Sequence, residues 1–190
     1  MRRVAAGLAV VGLVAAGAWV ATRPLGNGGT PAPVGSGAAS ETGIEVGDAA
    51  PELTDASGAP LLKDLDGAPV QLADYAGHPV WIVFWATWCT PCQEEAADIV
   101  AAYHAHRGAG LTVLAIDVQE PTTSVRQFVA EHGLDYRVAL DPTAAIQARY
   151  GGWGLPVHFF LDGHGTIRDR YIGQLTRETM EERLRTIVGS

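Results

Sequence analysis

The sequence predicts an α/β protein built as a three-layer sandwich around a mixed β-sheet. Two observations carry this reading. Strand-length apolar runs, above all Val80–Trp85, alternate with stretches whose apolar residues recur at three- and four-residue steps. That is the pattern of buried strands separated by helices. After residue 155 the alternation stops: two further strand-like runs flank the turn cluster Asp162-Gly163-His164-Gly165, and a capped helix closes the chain. Parallel strands with helices between them, then an antiparallel hairpin and a final helix, give a sheet covered on both faces.

Taken in order, residues 1–23 open with Arg2 and Arg3 ahead of an uncharged run of eighteen residues, 4–21. The run is at the lower limit for crossing a bilayer and exceeds the usual apolar part of a signal peptide. It reads as a membrane anchor with a cytoplasmic N-terminus and the remainder outside. Ala16-Gly17-Ala18 leaves a cleaved signal open, and no Cys adjoins the run to support lipidation. Residues 24–45, rich in Gly, Pro, Ala and Ser, read as a flexible tether. The folded domain is 46–190. Asp66-Gly67 between the segments 61–65 and 70–72 predicts an N-terminal hairpin. Val80–Trp85 and 111–116 are buried strands. A helix is expected at 91–106, another at Thr122–His132, a strand at 136–140 and a helix at 143–150. Strands Val157–Leu161 and 166–172 form the closing hairpin. Thr176 then caps a last helix reaching about 188, with Glu178 and Glu181 in its early turns.

Composition narrows the function. The formal net charge is −8, and with Arg2, Arg3 and Arg23 at the extreme N-terminus the body carries 10 basic against 21 acidic residues. Such a body repels polyanions, so nucleic acid is not an expected partner. Only two cysteines occur, as Cys89-Thr90-Pro91-Cys92. Two cannot make a structural zinc site, which takes four ligands, and they close too small a ring to staple a loop. No metal and no cofactor is expected.

The pair sits where a buried strand ends and a helix begins. A thiolate is the reactive form, and a free thiol with a pKa near 8.5 is mostly protonated at neutral pH. Unpaired N–H groups and the dipole at a helix N-terminus stabilise the anion. Pro91 suits the first turn, where its missing N–H costs nothing. Cys89, outermost, is the expected nucleophile; Cys92, one turn in, is the expected resolving thiol.

Residues 84–95, Phe-Trp-Ala-Thr-Trp-Cys-Thr-Pro-Cys-Gln-Glu-Glu, resemble the thioredoxin-like TlpA/ResA/CcmG group. Gly47-Asp48-Ala49-Ala50-Pro51 upstream, and Gly154-Leu155-Pro156 with Phe159-Phe160-Leu161-Asp162 downstream, fit the same pattern in the same order. The resemblance implies a thioredoxin-like domain with an N-terminal hairpin and an αβ insertion. It also implies an extracytoplasmic disulfide reductase tethered by one helix, receiving electrons from a membrane thiol transporter. Its clients would be exported proteins such as apocytochrome c, and the protein would be a monomer.

Glu95 lies one turn beyond Cys92 on the same face. By spacing alone it is either a base for Cys92 or, like Glu94, a charge complementing the helix N-terminus. The resemblance assigns it the base role, and Val83 stands where ordinary thioredoxins bury an Asp. The resemblance also makes Pro156 a cis-proline facing the disulfide, with Leu155, Trp88, Thr90 and Pro91 contacting the client. Ala97 replaces a Pro that commonly kinks the active-site helix, so a straighter helix is expected. His158 reads as a hydrogen-bonded core residue rather than a redox or metal group. His78, His104, His106, His132 and His164 read as surface.

Oxidation of exported thiols stays open beside reduction of exported disulfides, because Thr90-Pro91 does not fix the potential. Of two rivals from other classes, copper handling is the alternative and peroxidase activity is expected to be negligible. A dithiolate also binds cuprous ion, which would suit assembly of a terminal oxidase copper centre. A thiol peroxidase of the peroxiredoxin kind needs a Thr or Ser three residues before its reactive Cys and a Pro seven before it; here those places hold Ala86 and Ile82.

Overall fold

The computed structural model describes residues 44–152 and 154–189. The expected membrane helix, 1–23, and the tether up to residue 43 lie outside them. Among the described residues no helix is long and apolar enough to cross a membrane.

The strands are β1 (Leu62–Asp64), β2 (Pro69–Val70), β3 (Val80–Trp85), β4 (Thr112–Val118), β5 (Arg137–Asp141), β6 (Val157–Leu161) and β7 (Ile167–Ile172). The helices are α1 (Thr90–His106), α2 (Thr122–His132), α3 (Ala145–Arg149) and α4 (Arg177–Leu184). One mixed sheet runs β2-β1-β5-β4-β3-β6-β7. The centre, β5-β4-β3, is parallel; β6 and β7 on one side and β1 and β2 on the other are antiparallel to their neighbours. The expected αβ insertion is α2–β5, which adds a parallel strand beside β4. The expected hairpin is β1–β2, turning through Gly67 at φ 85°, a conformation Gly adopts without a Cβ penalty.

Every residue of β3 is buried, as its unbroken apolar run requires in the middle strand of a covered sheet. Its side chains alternate between two cores. Trp81, Val83 and Trp85 face α1, α2 and α4 with Cys92, Ile99, Phe128 and Leu184. Ile82 and Phe84 face α3 and the N-terminal segment with Leu53, Ile146 and Tyr150. Burying each such side chain contributes about 1.5–3 kcal/mol.

Several boundaries differ from expectation, two of them for visible local reasons. Leu72 leaves β2 for a 3₁₀ turn, Leu72–Tyr75, because Asp74 reaches back to accept the Gln71 N–H at 3.2 Å. α3 starts at Ala145 rather than 143 because Ala144 is left-handed, φ 56°, and Asp141 takes the N–H groups of Ala145, Ile146 and Gln147 at 2.9–3.0 Å. β4 runs on to Val118, two residues past the expected end. α4 stops at Leu184, and turns carry the chain on to the buried Ile187. α1 is continuous across Ala97, which is exposed.

Candidate active site

β3 delivers the chain at Trp85, and after four intervening residues α1 begins at Thr90. Cys89 is its N-cap, in extended conformation, and its sulfur accepts the Cys92 N–H at 3.3 Å. That N–H is one of the unpaired donors of a helix N-terminus, so the helix directly solvates the Cys89 sulfur. Pro91 lies in the first turn. The two cysteines form a disulfide, with Cys89 and Cys92 4% and 3% exposed. Exposure therefore does not rank them; helix position does.

Of the expected client-contacting residues, Trp88 is 68% exposed, and Thr90 and Pro91 are exposed beside it. Leu155 is half-buried and packs on the cluster holding both cysteines. The Leu155–Pro156 bond is cis, as expected, and Pro156 is buried. The Pro156 carbonyl accepts the Gly173 N–H at 2.8 Å, whereas the N–H and C=O of Leu155 hydrogen-bond to nothing among the described residues.

Glu95 is 1% exposed, on the α1 face that carries Cys92. One carboxylate oxygen accepts the Leu175 N–H at 2.9 Å. The other, Oε1, has no hydrogen bond and lies 3.4 Å from His158 Nε2. Glu94 is exposed, as a charge serving only the helix end would be. Glu95, Cys92, Val83, Phe128, Leu134 and Tyr136 line one small cavity. Burial, aided by the Glu95 charge, raises the Tyr136 hydroxyl well above its ordinary range.

Sequence reasoning missed a second polar group under the motif. Glu120 receives both the N–H and the hydroxyl of Thr87, each at 2.5 Å, and Gln93 donates to the Thr87 carbonyl. The loop leading into Cys89 is thus held from both sides. Gln119, left-handed at φ 61°, aims Glu120; holding a non-Gly residue there costs on the order of 1 kcal/mol. Next to it Asp117 is 1% exposed with neither oxygen hydrogen-bonded. Burial, with the Glu120 carboxyl opposing its charge, pushes the Asp117 carboxyl up to about 8. A carboxylate three residues after another at a strand end was a readable signal, but nothing in the spacing linked it to Thr87.

His158 is fully buried, as expected, and lies beside Glu95, which its sequence position does not reveal. Of the other histidines, His78, His104, His132 and His164 are exposed. His106 is a correction: it is half-buried, paired at 2.8 Å with Glu181 of α4. Among the described residues no cluster of three or more His, Cys, Asp or Glu side chains is placed to hold a metal ion.

The AhpC/TSA family profile matches residues 46–170. A thiol–disulfide oxidoreductase ResA from Bacillus thuringiensis (strain Al Hakam) is 32% identical over 144 residues, 76% of this chain and 79% of the relative. The ResA of Geobacillus thermodenitrificans (strain NG80-2) is 31% identical over 147 residues, 77% of this chain and 80% of the relative. A solved structure described as a thiol:disulfide interchange protein DsbE, from Chlorobium tepidum, superposes with a TM-score of 0.69. It is 26% identical, covering 77% of this chain and 99% of that one.

Proposed function

This chain belongs to the AhpC/TSA family and is a thiol–disulfide oxidoreductase of the ResA type; we propose that it is an extracytoplasmic disulfide reductase of exported proteins, apocytochrome c among them. The observation that carries the reading is Cys89 at the N-cap of α1, its sulfur taking a helix N–H, between an exposed Trp88 and the peptide groups of Leu155, which are unpaired among the described residues. A client strand that pairs with Leu155 places its own disulfide against Cys89.

In the dithiol form the Cys89 thiolate attacks one client sulfur. A Cys89–client disulfide forms, and the second client sulfur leaves as thiolate with the electron pair. Cys92 then passes its proton to the Glu95 carboxylate and attacks Cys89. The Cys89–Cys92 bond forms, the mixed disulfide breaks, and the client leaves reduced while the chain is oxidised. A membrane thiol transporter returns the two electrons. The run 4–21 anchors the domain outside the cytoplasm, and 24–45 gives it reach. Peroxidase chemistry is disfavoured by Ala86, which is fully buried and offers no hydroxyl before Cys89.

The test is trapping. Cys92→Ser should accumulate mixed disulfides with exported clients and Cys89→Ser should not; equal trapping overturns the assignment. The Cys89–Cys92 potential should lie near the reducing end of the thioredoxin-fold range, about −270 mV. A value near the oxidising end, about −120 mV, would make the protein an oxidase instead.

A further inference from the structure

We propose that His158 is a positioning residue for Glu95: its Nε2–H is the donor that orients the Glu95 carboxylate toward Cys92. This rests on the reading of Glu95 as the base for Cys92.

The argument starts from which nitrogen carries the proton. The Trp81 indole N–H, which can only donate, points at His158 Nδ1 at 3.3 Å. Nδ1 must therefore be bare. His158 Nε2 faces the Gly173 carbonyl at 3.2 Å, which can only accept, so Nε2 carries the proton. The ring is neutral, with its tautomer fixed by one neighbour on each side. Its proton points into a space shared by two acceptors, the Gly173 oxygen and, at 3.4 Å, Glu95 Oε1. Oε1 is buried and takes no hydrogen bond. Since Leu175 N–H holds Oε2, a small tilt of the imidazole gives the carboxylate a donor on each oxygen. Cys92 and Tyr136, which share the cavity of Glu95, and Tyr171, across from His158 on β7, are further titratable side chains around the pair.

In the resolving step Cys92 transfers its proton to Glu95 as the Cys89–Cys92 bond forms and the client thiolate leaves. A carboxylate held by two donors keeps its geometry and its charge until that transfer. His158 takes no proton itself, because Trp81 blocks Nδ1.

Two substitutions separate this from a packing role. His158→Gln keeps an N–H donor near the Nε2 position but loses the partner of Trp81. His158→Asn keeps an acceptor near Nδ1 but loses the donor to Glu95. His158→Gln leaves the Trp81 N–H without its acceptor, and His158→Asn leaves the Gly173 carbonyl and Glu95 Oε1 without their donor. Both disturb the buried packing, and only the second removes the donor to Glu95. In single-turnover stopped-flow with a model disulfide, attack by Cys89 should be unchanged in both. Resolution should slow about tenfold in His158→Asn, the scale of one hydrogen bond to a charged group, and stay within about threefold of wild type in His158→Gln. In a Glu95→Gln background His158→Asn should slow it no further. Equal slowing in the two variants, or undiminished slowing in that background, overturns the proposal. A wild-type resolution rate in Glu95→Gln alone overturns the base reading instead. Nitrogen NMR of the unsubstituted protein gives a check that needs no variant to fold: a protonated Nδ1 at His158 refutes the mechanism.

Discussion

Replacing Asp117 by Asn should stabilise the protein at neutral pH, by an amount that grows with pH. The side chain is buried on β4 with no donor to either oxygen, and its carboxyl is pushed from 3.8 to about 8, first by burial and then by Glu120. In the unfolded chain the group ionises near pH 4. Between pH 4 and 8 the unfolded state has lost the proton and the folded state still holds it. Folding then takes up a proton, so this group's contribution to stability falls by about 1.4 kcal/mol per pH unit across that window. Below pH 4 both states are protonated and there is no penalty; above 8 both are ionised and the penalty is complete. At pH 7.5 that slope sums to at most about 5 kcal/mol, an upper bound that relaxation around the buried carboxyl lowers. Asn has the same shape, carries no charge and can donate to Glu120. Urea unfolding of the oxidised protein from pH 4.5 to 8.5 checks this. The advantage of Asp117→Asn should be near zero at pH 4.5 and rise steadily. An advantage independent of pH, or a wild type that is more stable at pH 8, refutes the reasoning.

Trp88 adjoins Cys89 and is mostly exposed, so reduction of the disulfide should raise its fluorescence; Trp88→Phe should abolish most of the change, and a surviving signal would assign it to another indole. Glu120→Ala removes both acceptors of Thr87. It should lower stability by about 1–3 kcal/mol and slow client attack by Cys89, read by stopped-flow; unchanged attack would show that the loop needs no clamp. Arg137 ties Asp64, the Pro69 carbonyl and the Tyr75 hydroxyl to β5. Arg137→Ala should cost about 1–2 kcal/mol in denaturant unfolding while leaving disulfide exchange intact, and lost exchange would tie the β1–β2 hairpin to the site.

Elements with a strong local signal were legible. The apolar run of β3, the Asp66-Gly67 turn and the Thr176 cap, whose hydroxyl accepts the Thr179 N–H at 3.3 Å, each follow from neighbouring residues. The Cys pair was legible because strand, helix start and Pro91 are consecutive. What was not legible depends on contacts made far along the chain. The Asp141 cap that delays α3 competes with a Pro-Thr start that looks equally good in sequence. Glu120 reaches Thr87 across 33 positions, His106 is half-buried only because α4 brings Glu181 to it, and neither pairing has a spacing to read.

The buried polar groups nonetheless obey one rule. Alternate residues of a strand share a face, and residues paired across strands share that face too. Trp81, Val83 and Trp85 point under α1. Register sets His158 opposite Val83 on one side and Asp117 opposite Trp85 on the other. Both polar side chains are therefore forced beneath the helix that carries Cys92 and Glu95, where water cannot reach them. A one-residue slip of β6 would move His158 to the opposite core, leave the Trp81 N–H unpaired, and bring Val157 or Phe159 to Glu95. Such a slip would cost at least the desolvation of two buried polar groups, about 1–3 kcal/mol each. These buried polar residues thus help specify the strand register that brings them together.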